Sequence, residues 1–201
     1  EETPFLHADS RTLYFASNGH PSVGGKDLYV SRLETNGKWS KPVNLGYPIN
    51  TEGDEAGLFV ALDGKSAFLS SERPGGFGKL DIYSFELNEP VSAIPSTYVK
   101  AIIKHQGTQQ PLSAAFRVAQ LDNDDMFAEG MTAANGEFLI CIPADKTYAL
   151  TIEKQGFIFH SEQFQPKGGT QLEPYLLEVY LKPVVTGGSV ILKNVLFAYN
   201  S

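Results

Sequence analysis

Asp9-Ser10-Arg11-Thr12-Leu13-Tyr14-Phe15-Ala16-Ser17, followed by Gly24-Gly25-Lys26-Asp27-Leu28-Tyr29-Val30, returns further along the chain. The second version reads Asp63-Gly64-Lys65-Ser66-Ala67-Phe68-Leu69-Ser70-Ser71 and then Gly78-Lys79-Leu80-Asp81-Ile82-Tyr83-Ser84. Phe5 to Leu33 lies on Phe59 to Leu87 without a gap, at a constant spacing of fifty-four residues. A repeat of this length reports a supersecondary unit that buries its apolar face by stacking on its neighbours. The repeat therefore decides the architecture before any single motif is considered.

Each copy reads as short strands joined by turns. The first strand runs to a turn at Asp9-Ser10 or Asp63-Gly64, where Asp and Gly supply turn chemistry. The second is the aromatic segment ending at Ser17 or Ser71, followed by a Gly/Pro-rich loop over 20–25 or 74–78. The third begins at Asp27 or Asp81. Copy one continues into Trp39-Ser-Lys-Pro42-Val-Asn-Leu45, expected as an outer fourth strand with its Pro at an edge. Four strands per repeat is the pattern of a β-propeller blade, and propellers close with about four to eight blades. Copy two ends at Leu87 with no counterpart of the Trp39 strand. Residues 1–88 are thus expected to be the C-terminal part of a propeller of about two blades. Further blades are expected upstream, the last blade is expected to take its closing strand from the propeller's N-terminal region, and an apolar flank should be left open.

These stretches resemble the TolB-type propeller repeat, with its DGk-x-lyF-x-S core followed by gG-x-DIY. The connector Trp39-Ser-Lys-Pro-Val-Asn-Leu-Gly-Tyr-Pro-Ile-Asn-Thr-Glu-Gly-Asp-Glu55 is similar to the blade linker of envelope proteins that pair this propeller with an OmpA-like domain. Copy one departs in carrying Ser10 where the turn usually has Gly.

Glu89-Pro90-Val-Ser-Ala-Ile-Pro95-Ser96 reads as a linker, its prolines interrupting strand pairing. Beyond it the repeat stops. Tyr148, Leu150 and Ile152 alternate with polar or small residues, as do Phe138, Ile140 and Ile142 after a hairpin turn expected at Asn135-Gly136, and Tyr175, Leu177, Val179 and Leu181. With further strands expected at 98–104, 114–121 and 157–164, residues 97–183 should form an Ig-like or transthyretin-like β-sandwich of about six or seven strands. The whole chain is accordingly expected to be all-β. Val99-Lys-Ala-Ile-Ile103, Gln110-Pro-Leu-Ser-Ala114, Thr132-Ala-Ala-Asn-Gly-Glu-Phe138 and Tyr148-Ala-Leu-Thr-Ile-Glu-Lys-Gln-Gly-Phe157 resemble a carboxypeptidase-regulatory-like domain, which carries no peptidase activity. Residues 184–201, ending Leu192-Lys-Asn-Val-Leu-Phe-Ala-Tyr-Asn-Ser201, resemble the run into an OmpA-like peptidoglycan-binding domain lying outside the chain. Ala198 stands where that family commonly has Asp. Both ends of the chain read as cut from a longer protein. The order of parts is similar to outer-membrane-associated proteins of Bacteroidetes, including PorE-like components of type IX secretion.

The charge balance argues against several functions. The chain has a net charge of −7, and its 16 Lys and Arg are scattered. A phosphate-tracking surface needs clustered basic residues, so nucleic acid is not an expected partner, nor is an anionic membrane surface. No apolar run reaches the roughly 20 residues of a membrane-spanning helix. The single Cys141 cannot pair within the chain, and it rules out cysteine-based zinc clusters; alternating apolar neighbours place it on a strand.

Catalytic patterns are weak throughout. His7, His20, His105 and His160 lack metal-ligand spacing. No Gly-x-Ser-x-Gly elbow is present, and the Gly-rich loops lead into strands instead of phosphate-binding helix N-termini. Asp122-Asn-Asp-Asp125 breaks the EF-hand template at Met126 and Phe127 and reads as a solvated loop. Asp27 and Asp81 occupy equal places in both copies; recurrence points to a structural role, each carboxylate accepting backbone N–H bonds from its loop. Tyr29 and Tyr83, with Gly24 and Gly78, complete the repeat-structural set. No catalytic, metal or cofactor-binding residue is assigned and no cofactor is expected.

The resemblance implies a non-enzymatic scaffold or protein-interaction fragment on the periplasmic side of the outer membrane. Its partners would be envelope or secretion-system proteins, with peptidoglycan held by the absent domain. The alternative is a ligand- or glycan-binding propeller module. An accessory part of an envelope hydrolase, with catalysis elsewhere in the protein, is a third possibility.

Overall fold

Asp9 and Asp63 start both copies in the same way. The Asp9 carboxylate accepts bonds from the backbone N–H groups of Arg11 and Thr12 and from the Thr12 hydroxyl, at 2.7–2.9 Å. Asp63 accepts from Lys65 N–H, Ser66 N–H and the Ser66 hydroxyl at 2.6–2.9 Å. Each side chain thereby closes the turn and aims the next strand. The following position is left-handed in both copies, with φ +58° at Ser10 and +73° at Gly64. Ser10 thus adopts the backbone conformation that glycine takes without steric cost.

The computed structural model describes residues 1–73, 75–122, 126–168 and 173–185. Those residues form strands and turns with no helix, so the chain is all-β. Its contacts divide it into two compact units, the first built on Glu1–Ser96 and the second beginning at Thr97.

In the first unit, β1 (Glu2–Leu6), β2 (Thr12–Ser17), β3 (Asp27–Arg32) and β4 (Val43–Asn44) form one antiparallel sheet in that order. The second sheet is β5 (Glu55–Val60), β6 (Ser66–Ser71) and β7 (Asp81–Glu86). The repeat extends to register: Tyr14 faces Val30 and Ser17 faces Asp27 across one pair, while Phe68 faces Ser84 and Ser71 faces Asp81 across the other. It extends also to irregularity. The β1–β2 pairing shifts between Glu2 and Phe5 around Thr3 at φ +45°, and the β5–β6 pairing shifts between Ala56 and Phe59 around Gly57 at φ +67°. A bulge repeated at one position of a repeat is a built feature that re-aims the strand.

Alternation along the strands makes the shared core. Tyr14, Ala16, Leu28 and Val30 from the first sheet pack against Leu58, Val60, Ala67 and Leu69 from the second, all of them buried. The expected fourth strand of copy one shrinks to Val43–Asn44, preceded by a single bridge between Leu33 and Trp39. No sheet closes on itself among the described residues, which in this unit form two neighbouring meanders. A propeller is not among the structures seen.

Residues 89–96 do not run free as a linker. Val91, Ala93 and Ser96 are buried on the first unit. The Tyr14 hydroxyl donates to Val91 C=O at 2.7 Å, Arg32 donates to Ser92 C=O at 2.6 Å, and Ile94 N–H donates to Asp9 at 3.0 Å. Ala93 N–H reaches Gly64 C=O at 2.8 Å. The prolines that suggested a spacer keep the segment out of a ladder, but its apolar side chains and backbone groups are satisfied by the repeat it follows.

The described residues of the second unit form a seven-stranded sandwich. One sheet has the order β10–β9–β12–β13 and the other β11–β8–β14. In chain order these are β8 (Ser96–His105), β9 (Ala115–Gln120), β10 (Met126–Met131), β11 (Glu137–Pro143), β12 (Tyr148–Glu153), β13 (His160–Phe164) and β14 (Tyr175–Leu181). Val99, Ala101 and Ile103 of β8, Phe116 and Val118 of β9, and Tyr148, Leu150 and Ile152 of β12 fill the space between the sheets with Val179 and Leu181 of β14. Phe116 stacks on Phe138 with centroids 4.0 Å apart. β14 runs parallel to β8, from Tyr175 opposite Val99 to Leu181 opposite His105.

Two expectations change here. β10 was not anticipated, because Met126-Phe-Ala-Glu-Gly-Met131 is an edge strand with little burial and no alternation. The Asn135-Gly136 turn does not close a hairpin, since β10 and β11 belong to different sheets and the turn crosses between them. Gly136 sits there at φ +75°, where a Cβ would stand 2.4 Å from Ile103 C=O. Glycine is required by both conformation and space.

Candidate functional site

The paired acidic residues of the repeat lie in different sheets and build two local sites, not one shared centre. In copy one, Asp27 opens β3 and is fully buried. One oxygen, Oδ2, accepts from Val23 N–H at 2.7 Å, tying the Gly-rich loop to the strand, and from the Asn44 side-chain amide at 2.7 Å. The other oxygen, Oδ1, is buried without a protein partner among the described residues. Tyr29 donates its hydroxyl to Pro21 C=O at 2.8 Å and stacks on Phe15, bracing the far side of the same loop. Gly24 lies where a Cβ would stand 2.3 Å from Thr51 C=O, because the connector into copy two passes directly over it.

That connector carries a polar clasp which the sequence reading did not single out. Asn50 is fully buried; its Oδ1 accepts from Leu28 N–H at 2.8 Å and its Nδ2 donates to Leu28 C=O at 3.0 Å. The same Nδ2 donates to Asn44 Oδ1 at 2.7 Å, and Leu45 N–H donates to Leu28 C=O at 3.0 Å. Asp27, Asn44, Asn50 and the Leu28 backbone are thus one network, closing the outer edge of β3. Buried amides gain this value only when fully partnered, which explains two asparagines in a largely apolar stretch. The signal was visible as Asn44-Leu-Gly-Tyr-Pro-Ile-Asn50, but a motif occurring once in the chain offers no internal repeat to mark it. Glu55, also fully buried, is held by the hydroxyl and N–H of Thr51.

Copy two repeats the loop without the clasp. Asp81 Oδ2 accepts from Phe77 N–H at 2.8 Å and Gly78 N–H at 3.3 Å. Gly78 has open space around it, unlike Gly24. Tyr83 has the Arg73 guanidinium 5.1 Å from its ring centroid, and Arg73 also donates to Pro48 C=O and Ile49 C=O at 3.0 and 2.6 Å. Phe77 and Leu80 point into solvent, and Ile82 is 79% exposed where its counterpart Leu28 is 0% exposed. A groove of about 260 Å³ runs along β7, lined by Tyr83, Ser84, Phe85 and Glu86 together with Leu45 and Tyr47. Successive β7 residues from both faces of the sheet line it, so it is an edge groove.

Electrostatics serve the fold. Burial works against the charge on Asp9. The His7 ring, 3.5 Å away, and the bonds from Arg11, Thr12 and Ile94 more than offset it, holding the carboxyl well below the usual carboxylate range. Asp63 is lowered likewise, burial being outweighed by the bonds from Ser66 and Lys65. Burial pushes the Tyr14 and Tyr148 hydroxyls upward, and each donates to a backbone carbonyl, Val91 and Pro143 respectively. Burial also raises the half-buried Cys141 thiol, which disfavours the nucleophilic thiolate. Among the described residues no group of three or more His, Cys, Asp or Glu is placed to hold a metal ion, and no helix is long and apolar enough to cross a membrane. Asn123, Asp124 and Asp125 of the acidic run, and 186–201 of the C-terminal stretch, lie outside the described residues.

No family model matches the chain, and no curated protein matches it. Among solved structures it is similar to the Bacillus anthracis TIE protein, at 13% identity over 87% of this chain and 31% of that one, with a TM-score of 0.39. It is similar also to the group B streptococcus pilus 2b backbone protein, at 11% identity over 90% and 81% of the two chains, TM-score 0.39. A Streptococcal ancillary pilin gives 11% identity over 79% and 51%, TM-score 0.39. The chain thus spans about a third of the first of these proteins. At such values the likeness adds nothing to the all-β architecture that the strands themselves establish.

Proposed function

We propose that this chain is a non-enzymatic protein-interaction module of a cell-envelope scaffold, working on the periplasmic face of the outer membrane. The observation that carries the reading is the apolar cluster of copy two: Phe77, Leu80 and Ile82 stand in solvent, Ile82 at the position where copy one buries Leu28. An exposed apolar cluster rimmed by polar groups is the signature of a protein-contact surface. The buried carboxylates are spent on turns and loops, as at Asp9, Asp27 and Glu55, which leaves them unsuited to acid–base work. The resemblance of the repeat and of the sandwich supplies the envelope setting, peptidoglycan anchoring through a domain outside this chain, and membership of a type IX secretion assembly. The propeller reading of the repeat belongs to the same proposal.

Cross-linking the intact chain in envelope extracts, followed by mass spectrometry, tests it. Outer-membrane or secretion-system proteins should be recovered on peptides containing Lys79, beside the exposed loop. Cross-links spread evenly over all surface lysines, or recovery of cytosolic proteins alone, would sink the scaffold reading. A glycan-binding reading has one observation in its favour: a shallow cleft of about 380 Å³ lined by Phe15, His20, Trp39 and Pro42. Selective retention on a glycan array, lost in Trp39→Ala, would decide for it.

A further inference from the structure

Four dipeptides in the chain join Asn or Asp to Gly: Asn18-Gly19, Asn36-Gly37, Asp63-Gly64 and Asn135-Gly136. Such a pair is open to an internal reaction, because a glycine without a Cβ lets its peptide nitrogen approach the preceding side-chain carbonyl. Three of the four share one arrangement. Asn36 Oδ1 accepts from Lys38 N–H at 2.8 Å, Asn135 Oδ1 from Glu137 N–H at 3.1 Å, and Asp63 Oδ1 from Lys65 N–H at 2.9 Å. The glycine N–H in each case donates to a backbone carbonyl, of Glu34, Ala133 and Ala61 respectively, at 2.9–3.0 Å. These three glycines are left-handed, with φ of +73° to +75°. The amides of Asn36 and Asn135 are fastened again through Nδ2, to the carboxylates of Glu34 and Glu137. Side chain and peptide nitrogen are thus each held in bonds that the reaction would have to break.

Asn18 departs from this pattern. Its side chain makes no hydrogen bond among the described residues. Gly19 lies outside the left-handed region, and its N–H donates to the Ser17 hydroxyl at 3.0 Å. One rotamer change at Ser17 removes that acceptor without moving the backbone. Asn18, Asn36 and Asn135 are all exposed, so access to solvent does not separate them; their bonding does.

We propose that Asn18 is a site of spontaneous modification, at which the side-chain amide becomes a carboxylate while the chain stays folded. The Gly19 peptide nitrogen attacks Asn18 Cγ. The new N–Cγ bond forms as the Cγ–Nδ2 bond breaks, and ammonia leaves with the proton of the peptide nitrogen. Water then opens the cyclic imide at either carbonyl, giving an aspartyl or an isoaspartyl linkage at position 18. Either product adds a negative charge at the root of the loop that Asp27, itself a fully buried carboxylate, holds through Val23 N–H. The isoaspartyl product also routes the backbone through the side chain and lengthens it directly after β2.

Storing the intact chain in mildly alkaline buffer and mapping its peptides over time tests the proposal, using mass spectrometry with fragmentation that separates isoaspartyl from aspartyl products. The peptide carrying Asn18 should convert first, to both products, about tenfold or more faster than those carrying Asn36 and Asn135, which must give up several bonds to react. In urea the three rates should draw together, because the bonds that separate them are gone. Gly19→Ala should slow conversion at Asn18 by about tenfold or more by obstructing the attack. The fold accepts that change, since a Cβ at Gly19 meets nothing closer than Ser17 Oγ at 3.4 Å. Equal rates at the three sites in the folded chain, faster conversion at Asn36 or Asn135, or a rate at Asn18 unmoved by Gly19→Ala would each overturn the proposal. The main comparison is made within the unaltered chain, so a folding defect in the variant cannot mimic it.

Discussion

Asp9 and Ser10 show how much one turn can hold. Asp9 gathers bonds from Arg11, Thr12 and Ile94, so it fastens both the first hairpin and the segment that follows copy two. Its carboxyl is depressed in the folded state, so the unfolded chain binds the proton more readily. The stabilisation is therefore complete above the unfolded value of about 4 and is lost as pH falls below it toward the folded value. Asp9→Asn should lower stability at neutral pH by roughly 2 kcal/mol and flatten the acid limb of a stability–pH curve measured by urea unfolding. A parallel curve for the variant would contradict this. At the next position, Ser10→Gly should stabilise by about 0.5–1 kcal/mol, because φ +58° costs serine and not glycine. The reverse change at Gly64 meets a second obstacle, a Cβ 2.3 Å from Ala93 C=O, so Gly64→Ser should destabilise by more than Ser10→Gly gains. Thermal melts of the two variants check both signs.

At the scale of the element, the two Asp-led strands β3 and β7 form a natural experiment. Asp27 holds a loop and a neighbouring strand in full burial, whereas Asp81 holds its loop alone at a partly open site. Asp27→Ala should cost about 2–3 kcal/mol and Asp81→Ala about 1 kcal/mol, since stranded donors are expensive only where water cannot replace the acceptor. Equal losses in chemical denaturation would show that the Asn44–Asn50 clasp adds nothing. Most strands were legible in the sequence because they alternate at period two and end in Asp, Gly or Asn turns, as Tyr148-Ala-Leu-Thr-Ile152 does. β10 escaped because an edge strand buries little, and the Asn135-Gly136 turn misled because the same dipeptide that closes a hairpin also serves a sheet-to-sheet crossing.

Across the whole molecule, two all-β units follow one another, the first with an exposed apolar cluster, the second with a core enclosed by both sheets. The candidate surface was legible only in part. The repeat marked Asp27 and Asp81 as equals, and their burial proved unequal: Asn44 bonds Asp27 and Asn50 brackets the neighbouring Leu28 backbone, whereas Asp81 meets its own loop. The sequence alone determined the all-β class, the fifty-four-residue period, the turns and most strand faces, because these depend on local conformation and on which side of a strand is apolar. Only the tertiary structure decided that residues 89–96 clasp the first unit, that two asparagines seal β3, and that no described residue does the same for β7. Each of those depends on which backbone groups find a distant partner, and pattern along a chain carries no record of that.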